Sequence, residues 1–336
     1  MTRVLCVRLS AMGDVVQSLG AVQALHEARP DVELLFATQR EHAPLLRGIP
    51  GIAHVVEHDR RAGFAGLLST RRRLRALGCA IALDLQGNGK SALCAWLSGA
   101  RERIGAAAAW RQEPWSRVLL TRVVAVPGPR HPALVATAVV RALAPGAPAW
   151  APRLRATGDE LAAAAAAVRS AGVDPQRPFT AVVVGHGGDP RSLRPEALQA
   201  ELARGGPVLL VAGPGERDVA LPERVPAWRQ QPGELRLLVA LGALLAQSGG
   251  EAVGGDQGPL HVLAAAGART TAWFGPQDPD CTAPPTARVL RHPAPPPCLP
   301  CRERVCRHPQ GPVCMAFPRA LGREHPPPSW LQGNAP

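Results

Sequence analysis

Residues 3–29 have the sequence RVLCVRLSAMGDVVQSLGAVQALHEAR, which predicts a β-strand followed directly by an α-helix. The strand is the short apolar run at residues 3–9, which is rich in Val and Leu. In the helix, apolar side chains recur at helical spacing, at Val15, Leu19, Val22 and Leu25. A strand that feeds a helix through a short turn is the first half of the unit from which parallel sheets are built.

The same alternation continues through the chain and predicts an α/β fold of two doubly wound, Rossmann-like domains. Further strands are predicted at 32–37, 55–57, 80–85, 123–126, 179–184, 208–212 and 270–274, and further helices at 158–170 and 235–245. Residues 144–152, APGAPAWAP, interrupt the pattern with three prolines and a glycine and indicate a linker. The predicted domains are residues 1–150 and 151–317, followed by a Pro-rich, partly loose tail at 318–336.

Length and composition fit two buried cores and exclude several classes of protein. The chain has 336 residues, 46% of them apolar, and a single core stops growing at about 250–300 residues. Its apolar stretches are far shorter than the roughly 18 residues of a membrane span. Residues 1–8 lack the apolar segment of a signal peptide, so we expect a cytoplasmic protein. The net charge of +12 is spread along the chain and favours anionic partners, such as phosphates or a membrane surface.

A nucleic-acid partner is not expected. Aromatic residues make up 4% of the chain, and single-stranded nucleic acids are bound by basic grooves with stacking aromatic side chains. The sequence shows no basic stripe of that kind.

The turn at residues 10–14, SAMGD, lies at the carboxyl end of the first predicted strand, where ligands of open α/β sheets bind. Gly13 allows the backbone to approach a ligand closely. Asp14 falls in the first helical turn, where the helix amino terminus stabilises negative charge by roughly 0.3–1 kcal/mol. An ionised carboxylate at this position can accept a proton. The alternative is an acidic residue that does no more than cap the helix.

The segment at residues 84–92, DLQGNGKSA, follows a predicted strand and resembles two nucleotide-binding motifs. Gly87, Gly89 and Ala92 fit the dinucleotide fingerprint, and the GKS letters resemble the end of a phosphate-binding loop. The second motif fails because Asp84 stands where it requires glycine. The segment therefore predicts a polar loop that contacts substrate, with a plain turn as the alternative.

Two segments of the second half could bind a phosphorylated ligand. Residues 184–188, VGHGG, end a predicted strand and lead to Arg191, a cation suited to phosphate. Residues 254–261, GGDQGPLH, start a helix with Pro259 at its first turn, and free amides at such a terminus can hold a diphosphate. For His261, the alternative is a structural histidine at a helix start. The DPD sequence at 278–280 resembles a metal-binding acid pair but is better interpreted as a turn.

Four late cysteines, Cys298, Cys301, Cys306 and Cys314, supply enough soft ligands for structural zinc or an iron–sulfur cluster. Their spacing matches no standard zinc finger. Reduced, partly buried thiols are the alternative.

In this order, the segments resemble the lipopolysaccharide heptosyltransferase family, glycosyltransferase family 9. The resemblance runs through residues 8–25, DLQGNGKSA, GARERIG at 99–105, GGDQGPLHVLAAAG, AWFGPQDP at 272–279 and CLPCRERVC at 298–306. It implies a GT-B fold, in which two Rossmann-like domains face each other across a cleft. It also implies an inverting transfer of heptose from ADP-heptose to the lipopolysaccharide inner core at the inner face of the inner membrane.

The resemblance also assigns roles to residues, and it requires no cofactor for the transfer. Asp14 would be the general base. Donor binding would fall to Arg191, Gly255, Asp256, Gln257, Gly258, Pro259, Leu260 and His261. Acceptor binding would fall to Arg8, Ser10, Met12, Gly13, Gln86, Asn88 and Lys90.

Three positions depart from the family pattern. Gln257 replaces a usual Ser or Thr, Leu193 a usual Trp, and Gly20 a usual Pro. Two alternatives remain on sequence grounds: a catalytically silent relative that binds nucleotide sugars, and a dinucleotide-dependent oxidoreductase.

Overall fold

The computed structural model describes residues 1–185, 188–213, 216, 225–231 and 233–331. The chain divides into two compact units. The first is Met1–Pro152 together with, among the described residues, Trp330 and Leu331, and the second is Arg153–Ser329.

The first unit is a parallel sheet flanked by helices. Its strands are β1 (Thr2–Val7), β2 (Val32–Gln39), β3 (Ile52–His58), β4 (Ile81–Asp84), β5 (Glu102–Ala106) and β6 (Arg122–Val124), and its helices are α1 (Met12–Ala28), α2 (Gly63–Leu77), α3 (Gly89–Leu97) and α4 (Pro132–Val140). The strands are ordered β3-β2-β1-β4-β5-β6. The order reverses between β1 and β4, and the carboxyl ends of strands at such a switch point form the usual ligand site of this fold.

Helix α1 is buried along most of its length and packs against α4. Gly20, one of the departures from the family pattern, explains part of this packing. A Cβ atom at Gly20 would lie 2.0 Å from the carbonyl oxygen of Trp150. The absence of a side chain at Gly20 therefore lets the segment around Trp150 cross closely over α1.

The second unit is a seven-stranded sheet. Its strands are β7 (Thr180–Val183), β8 (Val208–Ala212), β9 (Ala227–Arg229), β10 (Glu251–Gly255), β11 (Arg269–Phe274), β12 (Arg288–Arg291) and β13 (Arg323–His325), and its helices are α5 (Gly158–Ser170), α6 (Pro195–Leu202), α7 (Leu235–Ser248), α8 (Gly258–Ala265) and α9 (Pro279–Thr282). The order is β13-β12-β11-β10-β7-β8-β9, and β13 alone among the described strands pairs in the antiparallel sense. Here the switch point lies between β7 and β10.

The tail at 318–336 is more ordered, over its described part, than its proline content indicates. It contributes the edge strand β13, and Arg319 bonds to Glu201 and Glu251 at 2.9 and 2.8 Å. Burial raises the pKa of the Glu251 carboxyl, but hydrogen bonds from Arg319 and Thr271 outweigh it and leave this pKa below its usual value. Residues 332–336 of the predicted tail lie outside the described residues.

The structure confirms the predicted α/β class with two doubly wound sheets. Strands β5, β9, β10, β12 and β13 extend the predicted set. In the described part of the chain, no helix has the length and hydropathy needed to span a membrane.

Candidate functional site

Asp14 lies in the first turn of α1, at the carboxyl end of β1, and forms an ion pair with Arg8. Its Oδ2 atom is 2.5 Å from Nη2 of Arg8 and accepts a hydrogen bond from the backbone N–H of Ala11 at 3.4 Å. The cation and the helix amino terminus both stabilise negative charge on the carboxylate. The Asp14 side chain is 30% exposed, whereas that of Arg8 is 4% exposed. The carboxylate is therefore oriented by its partners and still accessible to a ligand.

Arg8 is fixed at both ends of its guanidinium group. Nη1 donates to the carbonyl oxygen of Leu85 at 2.7 Å, while Nη2 contacts Asp14. Because Leu85 directly follows β4, Arg8 ties the end of this strand to the start of α1. It is a positioning residue for Asp14.

Gln86 forms hydrogen bonds to the backbone of the same turn. Its Oε1 atom accepts hydrogen bonds from the backbone N–H groups of Leu9 and Ser10, at 2.7 and 3.4 Å. The side chain is buried. The structure thus places Gln86, which is predicted to bind the acceptor, in a contact that shapes the turn before Asp14.

A buried ion pair, which the sequence analysis missed, holds the loop after β4. Asp84 Oδ2 lies 2.6 Å from Nη2 of Arg111, and both side chains are fully buried. Asp84 Oδ1 accepts from the backbone N–H groups of Gln86 and Gly87. Arg111 also donates through Nε to Ser116 Oγ at 2.8 Å. The pair fixes the backbone from which Gln86 reaches the first turn.

The start of α3 is already occupied by protein groups. Asn88 Oδ1 accepts from the Ser91 N–H at 3.0 Å, and Glu113 Oε2 accepts from the Gly89 N–H at 3.0 Å. A carboxylate thus lies where a dinucleotide fingerprint would place a phosphate. Lys90, between these residues, is exposed.

The predicted acceptor residues come together at neighbouring strand ends, because β1 pairs with β4 up to Val7 and Asp84. They differ in accessibility. Lys90 is exposed, Ser10, Met12 and Asn88 are half-buried, and Arg8, Gly13 and Gln86 are buried.

In the second unit, Asp256 directly follows β10 and is held by two side chains. Its Oδ1 atom lies 3.1 Å from Nε2 of His261, and its Oδ2 atom accepts from Thr282 Oγ1 at 3.0 Å. Since a carboxylate accepts hydrogen bonds, the first contact places the proton of His261 on Nε2. Thr282, which the sequence analysis missed, ends the short helix α9. The Asp278 side chain caps α9 by accepting from the Asp280 N–H, so the DPD sequence starts a short helix where a turn was expected.

Gln257 connects the start of α8 to the end of β7. Its Nε2 atom donates to Ser192 Oγ at 2.9 Å. Gly185 has a φ of +73°, and a Cβ atom there would lie 2.1 Å from the Gln257 amide. The buried Oε1 atom of Gln257 has no hydrogen-bond partner among the described residues. Gln257, which departs from the family pattern, therefore fills space beside the glycine-rich strand end. Its Oε1 atom remains able to accept a hydrogen bond.

Arg191 lies next to the same strand end and is paired with Asp189. Its Nη2 atom is 2.6 Å from Asp189 Oδ2, and its side chain is 40% exposed. Its carbonyl oxygen packs on Gly255, where a Cβ atom would lie 1.7 Å away. The Arg191 backbone is thus packed on the donor motif, and a bound phosphate would compete with Asp189 for its guanidinium. His186 and Gly187 of the predicted glycine-rich approach lie outside the described residues.

The backbone at the start of α8 provides fewer free N–H groups than its sequence indicates. Pro259 has no N–H, and the Leu260 N–H bonds to the carbonyl oxygen of Gln257 at 3.0 Å. Gly258 is the first residue of the helix. Of the three residues, Gly258 is therefore placed best to offer its amide to a ligand.

The four late cysteines line one small cavity. Burial, together with the neighbouring thiols of Cys301, Cys306 and Cys298, raises the pKa of the Cys314 thiol to about 12. Among the described residues, no group of three or more His, Cys, Asp or Glu side chains is placed to hold a metal ion. The donor set suits a thiophilic metal, but its arrangement here does not support one.

The family profile of glycosyltransferase family 9 (heptosyltransferase) matches residues 67–310. The chain belongs to this family. The matched range includes the donor-side motif at 254–261 and most of the cysteine-rich segment, and it begins after Asp14. The predicted family is confirmed, and because it is a family of glycosyltransferases, the oxidoreductase alternative was wrong.

Individual relatives agree with this assignment. Over 72 residues the chain is 36% identical to the lipopolysaccharide core heptosyltransferase OpsX of Haemophilus influenzae, a match that covers 21% of this chain and 20% of that protein. A family 9 glycosyltransferase structure from Veillonella parvula has a TM-score of 0.72 at 19% identity, covering 86% of this chain and 85% of that one. E. coli heptosyltransferase WaaC with ADP has a TM-score of 0.68 at 20% identity, covering 86% and 92%. These structures share the fold and confirm the GT-B type.

Proposed function

We propose that this family 9 glycosyltransferase transfers a heptose from ADP-heptose to a lipopolysaccharide core acceptor, with inversion at the anomeric carbon. The observation that carries the proposal is the accessible carboxylate of Asp14, held by Arg8 at the switch point of the first sheet. The name of the matched relative, OpsX, supports the acceptor class. The ADP complex of WaaC, a protein with the same fold, supports the nucleotide.

In this mechanism Asp14 is the general base. The acceptor hydroxyl oxygen forms a bond to the anomeric carbon, the bond from that carbon to the diphosphate oxygen breaks, and its electron pair leaves with the nucleoside diphosphate. The hydroxyl proton moves to Asp14. Arg8 fixes the carboxylate through its two-ended contact, so the base is oriented before the acceptor arrives.

Donor binding falls to the second unit. Asp256, held by His261 and Thr282, fixes the start of α8, where the helix amino terminus favours an anionic diphosphate. Gly255 permits the close approach of the loop that carries Arg191. The unpartnered Oε1 of Gln257 can accept a hydrogen bond from a hydroxyl group of the nucleotide sugar or from an N–H of its nucleobase. Cationic and amide groups at these positions would stabilise the leaving diphosphate.

The remaining parts of the proposal concern cofactor and location. The transfer as written balances without a cofactor. In this proposal the late cysteines have a structural role and take no part in the transfer. The proposed acceptor class supports a peripheral location at the cytoplasmic face of the inner membrane.

A donor screen tests the proposal. The purified chain is incubated with ADP-heptose and with ADP- and UDP-hexoses, with and without a truncated lipopolysaccharide core, and nucleoside diphosphate release is measured. We expect acceptor-dependent ADP release from ADP-heptose. Release from a UDP-sugar instead would refute the proposed donor.

A catalytically silent relative is the second candidate. The observation in its favour is the donor side, where Gln257 fills the space beside Gly185 and Arg191 is paired with Asp189. Calorimetry in the same screen separates the two, because a silent relative would bind ADP-heptose and release no ADP with any acceptor.

A further inference from the structure

Several large apolar side chains of the first unit are exposed. They lie on α2 (Phe64 and Leu68), on α3 (Trp96) and on the 3₁₀ turn Pro114–Leu119 (Trp115 and Val118). Phe64 is 74% exposed and Trp115 is 61% exposed. Because α2 contacts α3 and α3 contacts the 3₁₀ turn, these side chains belong to adjoining elements. We call these three elements the α2–α3 surface.

Helix α2 has a buried face and an unpartnered face. The residues buried against the unit are Gly66, Thr70 and Leu74, at intervals of four. Helical spacing places Leu68 and Arg72 on the opposite side, with Phe64 and Arg71 between the two faces. All four are exposed. The outward face is therefore apolar in its first half and cationic in its second.

The charged side chains of α2 itself are all cationic. Arg71, Arg72 and Arg73 are exposed and form no ion pair among the described residues. No Asp or Glu occurs in the sequence between Asp59 and Asp84. A protein partner with mixed charge would leave these cations poorly matched, whereas an anionic bilayer offers many negative groups in one plane.

We propose that the α2–α3 surface docks on an anionic phospholipid bilayer. Exposed Phe and Trp side chains with apolar bodies insert at the headgroup level, and the arginines contact lipid phosphates. The proposal deepens the proposed function, because it rests on an acceptor that is carried in a membrane, and it assigns the residues that hold the enzyme there.

The α2–α3 surface also borders the acceptor side of the first unit. A Cβ atom at Gly89 would lie 2.5 Å from the Trp115 ring, so Trp115 covers the start of α3 next to Lys90. Docking through Trp115 would therefore bring the polar loop at 84–92 close to the lipid headgroups, where a membrane-borne acceptor presents its sugars.

The test measures binding of the full chain to vesicles by sedimentation. One set contains phosphatidylethanolamine with about a third phosphatidylglycerol, and the other contains phosphatidylcholine alone. We expect binding to the anionic set that falls with salt. The triple variant Arg71→Ser, Arg72→Ser, Arg73→Ser should lose about fivefold affinity per arginine, or about 100-fold in total.

Matched controls come from the second unit. Arg169, Arg177 and Arg304 are also exposed, so their triple change to Ser removes the same charge elsewhere and should change the affinity less than threefold. Phe64→Ser with Leu68→Ser should weaken binding at high salt, whereas Val305→Ser with Leu321→Ser should not. Equal losses in both triple variants, or equal binding to neutral vesicles, would overturn the proposal. Unchanged melting temperatures confirm that each variant is folded.

The vesicles contain neither donor nor acceptor, so this test is separate from the transferase assay. The Arg71, Arg72 and Arg73 triple variant should keep normal turnover on a water-soluble truncated core. Vesicle binding without any transferase activity would refute the proposed function alone, and transferase activity without vesicle binding would refute the docking surface alone.

Discussion

Replacement of Asp14 by Asn removes the proposed base while keeping the shape of the side chain. General-base catalysis typically contributes about 10²- to 10⁴-fold to the rate. Donor groups lie in the second unit, so the affinity for ADP-heptose should stay within about threefold of the wild type, and the loss should fall on kcat. The expected result is a folded enzyme that turns over at least about a hundredfold more slowly.

The contact with Arg8 adds a smaller effect on stability. Removing one partner of a fully buried ion pair costs about 3–5 kcal/mol, since the other charge is left uncompensated. Asp14 is 30% exposed, and water screens part of the lost interaction. We therefore expect about 1–2 kcal/mol, which lowers Tm by roughly 2–8 °C for units of this size.

The assay follows ADP release with a truncated core, with calorimetry for donor affinity and thermal unfolding for stability. Asp31→Asn is the matched control, because Asp31 forms an exposed ion pair with Arg29 just after the other end of α1. It should change neither turnover nor Tm appreciably. Near-normal turnover in Asp14→Asn on an accepted donor and acceptor would place the base elsewhere and refute the mechanism.

Three further predictions concern the second unit. Arg191→Ala removes a charge-assisted contact of about 1.5–3 kcal/mol and should weaken donor binding roughly ten- to hundredfold, and an unchanged calorimetric affinity would remove Arg191 from the site. Cys301→Ser should fold and keep its activity, because the cysteines have no part in the transfer; complete loss of activity in a folded variant, or a stoichiometric metal in elemental analysis, would contradict this role. Glu251→Gln removes a carboxyl whose pKa is lowered in the folded state, a group that stabilises the fold above its unfolded pKa near 4.5 and stops doing so as pH falls below it. The variant should therefore be less stable at pH 7 and lose less stability between pH 5 and 3, measured by urea unfolding; parallel pH profiles would contradict the contribution of the Arg319 contact.

The parts of the fold that could be predicted from sequence are those in which local pattern and tertiary environment agree. Strand β1 is an apolar run and α1 has apolar residues at helical spacing, so both were found with small errors at their ends. Strand β10 has the sequence EAVGG and looks poorly apolar. Its Glu251 is stabilised by Arg319, a residue 68 positions away. No local pattern could show that contact.

The candidate site divides in the same way. Asp14 and Asp256 stand in recognisable motifs after strands, and the structure places both at switch points. Arg111 and Thr282 have no such signal, because each reaches its carboxylate across 27 or 26 positions of sequence. The DLQG sequence is one hint, since a buried strand that ends in Asp needs a cation or backbone amides to satisfy the carboxylate.

The geometry around Arg8 limits which residues can occupy that position. Two nitrogen atoms of one planar group reach the Leu85 carbonyl oxygen and the Asp14 carboxylate at the same time. A lysine ammonium is a compact charge on a flexible stem and cannot reproduce this fork. A positive charge alone would therefore not preserve the site. In Arg8→Lys, Asp14 would still face a cation, but its carboxylate would no longer be held in a fixed orientation.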